Sequence, residues 1–77
     1  MILKIKYFGL IEEITACNEE DFVFFKETIL ELKEILFQKY PKLENTSFKI
    51  AQNNEIANVN DKITGTEIVL LPPFAGG

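Results

Sequence analysis

From Ile2 to Phe8 the chain alternates, with Leu3, Ile5 and Tyr7 on one side and Lys4 and Lys6 on the other, which predicts a half-buried strand. Gly9 to Ala16 follows with Leu10, Ile11 and Ile14 spaced to pack on one side of a short helical turn. Asn18-Glu19-Glu20-Asp21 carries a polar turn signal, and Phe22-Val23-Phe24-Phe25 then predicts a second strand returning in hairpin fashion. The clearest element is a helix over Ile29 to about Lys39. Thr28 and Glu31 form a T-x-x-E capping box, in which each side chain satisfies a backbone N–H at the helix start. Ile29, Leu32, Ile35, Leu36 and Phe37 form its apolar stripe, and Glu31, Lys33 and Glu34 take the solvent side. Pro41 ends it, because the residue before a proline is pushed out of the helical region.

Lys42 to Ser47 is expected to be a loop, and Phe48-Lys49-Ile50-Ala51 alternates as a third strand. Asn53-Asn54 marks a turn before a short strand around Ile56. Asp61 to Gly65 marks another, before a last strand over Thr66 to Leu71. Strands and helix are segregated in the order β-β-α-β-(β)-β, which defines an α+β class. One helix laid across one face of a mixed four- to five-stranded sheet, a β-grasp, fits that order, with the first and last strands central. Alternation in the last strand puts Ile68 and Leu70 toward the helix. Val69 and Leu71 are then apolar residues pointing away from it, a candidate docking surface for a partner protein.

Composition removes most catalytic classes. In 77 residues there is no His, a single cysteine (Cys17), and eight basic residues that are all Lys. A Ser-His or Cys-His pair is impossible, a zinc or iron site of the usual kind is not expected, and no guanidinium is available to clamp phosphate. The net charge of −4 argues against nucleic acid as a partner. A lone cysteine forms no internal disulfide, and no apolar run is long enough to span a bilayer, so a cytoplasmic location with no membrane partner is expected. Cys17 beside Asn18-Glu19-Glu20-Asp21 sits where nearby carboxylates disfavour a thiolate, and it is read as structural.

The remaining chemistry lies at the C-terminus, where Leu70-Leu71-Pro72-Pro73-Phe74-Ala75 runs into Gly76-Gly77. Consecutive prolines favour an extended conformation, and glycines without a Cβ can enter narrow spaces. Extended, Pro72 to Gly77 would reach about 20 Å. A domain over residues 1–71 and an extended flexible tail over 72–77 are therefore expected.

Several segments together resemble the molybdopterin synthase small-subunit family of ubiquitin-like sulfur carriers. Ile5-Lys6-Tyr7-Phe8-Gly9-Leu10-Ile11-Glu12-Glu13-Ile14 resembles its first strand and first helix, with Glu12 where Arg is usual. Thr28 with its helix, and Ile50-Ala51-Gln52-Asn53-Asn54-Glu55-Ile56, resemble its capped central helix and late hairpin. Thr66 to Gly77 is similar to its signature end, an apolar strand leading into Pro-Pro-apolar-small-Gly-Gly, with Leu71 where an aromatic is frequent and Thr64-Gly65-Thr66 for a commoner Asp-Gly-Asp.

The resemblance implies that the carboxylate of Gly77 is the reacting group. It would be adenylated by an E1-like adenylating enzyme that consumes ATP. It would then be converted to a thiocarboxylate by a sulfur donor such as a cysteine desulfurase or a rhodanese-like protein. Gly76, Ala75, Phe74, Pro73 and Pro72 would insert into the large subunit of molybdopterin synthase, and Leu71, Val69 and Ile56 would face that subunit in a heterotetramer. No metal and no tightly bound cofactor are implied. A carrier for thiamin thiazole synthesis, a ubiquitin-like modifier conjugated through Gly77, and a plain binding module are the alternatives.

Overall fold

The computed structural model of the chain describes residues 1–73. Five strands, β1 (Ile2–Tyr7), β2 (Glu19–Val23), β3 (Lys49–Gln52), β4 (Glu55–Ile56) and β5 (Glu67–Leu71), form one sheet in the order β2-β1-β5-β3-β4. β1 and β5 lie side by side and parallel, with Ile5 opposite Ile68 and Tyr7 opposite Leu70; the other pairings are antiparallel. The first and last strands are interior, as their order along the chain predicts.

Helix α2 (Ile29–Lys39) crosses one face of this sheet, and α1 (Leu10–Thr15) follows β1 directly. The α2 capping box is complete: the Glu31 N–H donates to Thr28 Oγ1 at 3.3 Å and the Thr28 N–H donates to Glu31 Oε1 at 3.1 Å. Between sheet and helix lie Leu3, Ile5, Tyr7, Ile68 and Leu70 from the central strands, and Ile29, Leu32 and Leu36 from α2, none more than 1% exposed. Each such aliphatic side chain contributes about 1.5–3 kcal/mol by leaving water, so the core holds without a disulfide.

Four expectations need correction. The polar run at Asn18 to Asp21 is not a turn: β2 begins at Glu19 and ends at Val23, so the strand lies three residues early and Phe25 is 82% exposed. Its acids are tolerated because they face the lysines of β1, with Lys6 opposite Glu19 and Lys4 opposite Asp21. Leu10 is exposed rather than packed; α1 buries Ile11 and Thr15. Pro41 to Asn45 is a 3-10 turn rather than a loop, with Leu43 fully buried beneath it. Lys33 is half-buried, its ammonium over the rings of Phe37 and Phe48.

The β3–β4 hairpin closes on Asn53 and Asn54, both with positive φ (53° and 64°), as a two-residue turn matching strand twist requires. Gln52 and Asn53 tie it to the following loop. Gln52 Nε2 donates to Lys62 O, the Thr64 N–H donates to Gln52 Oε1, and Asn53 Nδ2 donates to Thr64 Oγ1, at 2.8–3.0 Å.

Candidate functional site

Because β1 and β5 are parallel neighbours, they end at the same edge of the sheet. The Phe8 N–H donates to Leu70 O at 3.3 Å, and Leu71 makes the last pair of β5, opposite Lys49. Pro72 has no N–H with which to extend the ladder, so the tail starts there. Pro72 is half-buried and Pro73 exposed. Phe74, Ala75, Gly76 and Gly77, expected to insert into a partner, lie outside the described residues.

The sheet face opposite α2 is open. Cross-strand partners share a face, so register defines its make-up. Val69 sits between Lys6 and Ala51; Ala51 sits between Val69 and Ile56; Leu71 lies opposite Lys49. Val69, Leu71 and Ile56, singled out from the sequence, thus meet on one surface. They line a shallow concavity of about 690 Å³ whose rim is polar, formed by Gln52, Asn53, Asn54, Glu55, Thr66 and Glu67. Ile56 is exposed, Val69 and Leu71 half-buried. The apolar floor runs along β5 to Leu71, the residue before the tail, so surface and tail root are continuous.

Ala51 belongs to this floor and was overlooked in the sequence. The alternation after Ile50 could have found it, but a buried alanine carries little signal by itself. Gly9 was overlooked for a different reason: nothing local links it to Pro72, 63 positions away, whose ring lies 3.1 Å from where a Gly9 Cβ would stand.

One polar cluster lies under the other half of the sheet. Glu20 points toward α2 and its carboxylate accepts from Tyr7 Oη (2.6 Å), Tyr40 Oη (2.5 Å) and Lys39 Nζ (2.7 Å). Burial alone would raise the Glu20 carboxyl. Hydrogen bonds from Lys39, Tyr40 and Tyr7 outweigh it and hold the group below the usual carboxylate range. Burial, reinforced by Glu20, pushes both tyrosine hydroxyls well above theirs. The carboxylate and both hydroxyls are satisfied, with exposed Lys39 closing the cluster from the solvent side, so it locks β2 to β1 and α2. Cys17 Sγ lies 3.9 Å from Glu20 Oε2 at its margin. Among the described residues no group of acidic or sulfur side chains could hold a metal ion, and no helix is long and apolar enough to cross a membrane.

A mixed sheet crossed by one main helix, with the chain leaving from a central strand, defines a ubiquitin-like β-grasp protein. Solved structures share this fold: a Pyrococcus furiosus chain assigned to molybdopterin converting factor, subunit 1, superposes with TM-score 0.86 at 17% identity over 96% of this chain and 99% of that one. The H. volcanii small archaeal modifier protein 1 superposes with TM-score 0.80 at 19% identity over 95% and 98%. The chain belongs to the ThiS family, whose model matches residues 5–77. Molybdopterin synthase sulfur carrier subunits of Caenorhabditis briggsae and Caenorhabditis elegans are 33% and 30% identical to it, each across 97% of this chain and 96% of the relative. The resemblance read from the sequence is borne out.

Proposed function

We propose that this chain carries sulfur as a thiocarboxylate on Gly77 and donates it within a molybdopterin synthase, docked on a large subunit through the open sheet face. An α-carboxylate, with a pKa of about 3.3–3.7, is ionised and inert as an electrophile at neutral pH. It becomes reactive by attacking the α-phosphate of ATP, which releases pyrophosphate and leaves an acyl-adenylate. Sulfur at the sulfide level then adds to the acyl carbon, and AMP departs with the C–O electron pair. The resulting thiocarboxylate is a nucleophile, and after transfer to the pterin precursor hydrolysis returns the carboxylate. Adenylating base, phosphate contacts and sulfur donor come from partner enzymes.

The observation that carries this reading is the continuity of the apolar floor with the tail root. The surface that would bind a partner and the segment that would enter it share β5, so docking delivers the tail in a defined place. The test is intact mass after incubation with the cognate adenylating enzyme, ATP and a sulfur source. A gain equal to one oxygen-to-sulfur exchange, mapped to Gly77, is expected. It should disappear when Gly77 is deleted, and an unchanged mass in the full chain under conditions that activate a control carrier overturns the reading. Transfer from the charged chain to a pterin precursor by the large subunit separates this role from thiazole synthesis.

A further inference from the structure

Gly9 follows the central strand β1 and precedes α1, with φ 61° and ψ −137°. This is the mirror image of an extended conformation, which an L side chain rarely adopts. A turn from strand to helix would explain the conformation alone. The neighbour does not follow from it. A Cβ built on Gly9 would stand 3.1 Å from Pro72 Cγ and 3.7 Å from Pro72 Cβ and Cδ, and apart from its own chain neighbours nothing lies nearer to that position among the described residues.

The contact is consequential because of what Pro72 is. A flexible side chain crowded at its tip could swing aside. A pyrrolidine ring is closed onto its own backbone nitrogen, so displacing the ring displaces the chain. Pro72 is also where β-ladder bonds stop holding the C-terminal strand, since Leu71 makes the last pair. Beyond that point the ladder no longer holds the chain, and the Pro72 ring occupies the place where a side chain on Gly9 would stand.

We propose that Gly9 is a positioning residue for the tail: its missing side chain forms the seat on which Pro72 rests, and this seat sets the direction in which the chain leaves β5. The inference rests on the sulfur-carrier reading for its functional consequence, though not for its geometry. Were the tail extended over about 20 Å, a turn of about 10° at Pro72 would move its end by roughly 3–4 Å. Misplacement of about 1 Å at a reacting group can cost about 100-fold in rate.

A double-mutant cycle tests this. Gly9→Ala adds both backbone strain and crowding against the ring. Pro72→Ala removes the Cγ that would be crowded at 3.1 Å and leaves the Cβ in ordinary contact at 3.7 Å. Two readouts are taken on folded protein, well below the midpoint of each variant's thermal transition. The first is the single-turnover rate of sulfur transfer from thiocarboxylated chain in the large-subunit complex. The second is paramagnetic broadening of backbone amides by a nitroxide at Gly77→Cys in a Cys17→Ser background.

Gly9→Ala is expected to slow transfer about 10-fold or more and to redistribute the broadening. With Pro72→Ala already present, Gly9→Ala should change the rate less than about 2-fold and leave the broadening pattern unaltered, because coupled residues are non-additive. The lowered melting midpoint from strain should persist in both backgrounds. An equal loss in both backgrounds, or an unchanged broadening pattern in Gly9→Ala, overturns the proposal. If the full chain transfers no sulfur at all, the functional reading falls, and the broadening cycle still decides whether Gly9 directs the tail.

Discussion

The open face of the sheet is divided along the boundary between β1 and β5. Toward β2 it carries Lys4, Lys6, Glu19 and Asp21, with exposed Ile2 opposite Val23 at the far end of the ladder; Lys4 Nζ lies 3.4 Å from Glu19, and Lys6 Nζ reaches across the boundary to within 3.5 Å of Glu67 on β5. Toward β3 and β4 it carries Val69, Leu71 and Ile56 beside the buried Ala51, an apolar run bordered by Glu67 and Lys49. Exposed ion pairs are already solvated and gain little from being covered. Apolar area gains about 25 cal/mol for each Å² removed from water. The ion-paired strip along β1 and β2 and the apolar run beside β3 and β4 therefore differ in how strongly they favour a partner. The half that favours one is the half from which the tail departs.

The largest expected effect comes from inverting the apolar half. Val69→Asp places a carboxylate at the centre of the floor, where docking would bury it beside a lysine, Lys6, that already pairs with Glu67. Affinity for the large subunit should fall about 100-fold, roughly 2.7 kcal/mol. Val69 is half-buried on the solvent side, so the thermal midpoint should move by only a few degrees. Isothermal titration with the large subunit, beside a melt of each variant, reads both. Unchanged affinity would mean that the apolar half is not the docking surface.

How much of this division could be read in the chain follows from the periodicities involved. Alternation within β1 and β5 sorts Leu3, Ile5 and Tyr7 from the lysines, and Ile68 and Leu70 from Val69 and Leu71, because each strand has one buried face. The capping box and Pro41 bound α2 from residues within a few positions of each end. What failed was β2. Glu19, Glu20 and Asp21 read as solvent residues because the β1 lysines that Glu19 and Asp21 face across the ladder, and the Tyr7, Tyr40 and Lys39 that hold Glu20, are far away in sequence. The contact between Gly9 and Pro72 was illegible for the same reason. Long-range pairing overrides local preference there, as β propensity does where context decides it.

Glu20 lies under the charged half and gives an intermediate effect. Glu20→Ala leaves the hydroxyl of Tyr7, itself 1% exposed, without its acceptor, and should cost about 1–3 kcal/mol in urea unfolding. The sign with pH follows from the lowered folded-state pKa. The carboxylate stabilises the fold above its unfolded value of about 4.3 and loses that contribution as pH falls through the folded value. The acid limb of stability should therefore be steeper in the native chain than in Glu20→Gln. Parallel limbs would show that Glu20 is not held ionised by Tyr7, Tyr40 and Lys39.

The smallest effect is expected at the boundary itself, and it is the most discriminating. Lys6 is the register partner of Val69, while its ammonium reaches Glu67 with side chains 35% and 52% exposed. The long stem of a lysine covers apolar surface while its charge stays in water, so the residue belongs to both halves. Lys6→Met keeps the stem and removes the charge, and it should change stability by no more than about 0.5 kcal/mol. If carbon beside Val69 is what the partner covers, Lys6→Met binds within about 3-fold of the native chain and loses its salt dependence, whereas Lys6→Ala weakens binding by several-fold at any ionic strength. Should Lys6→Met weaken binding as much as Val69→Asp, the charge at this position would be part of the docking surface, and the dividing line would have to move from the β1–β5 boundary into β1.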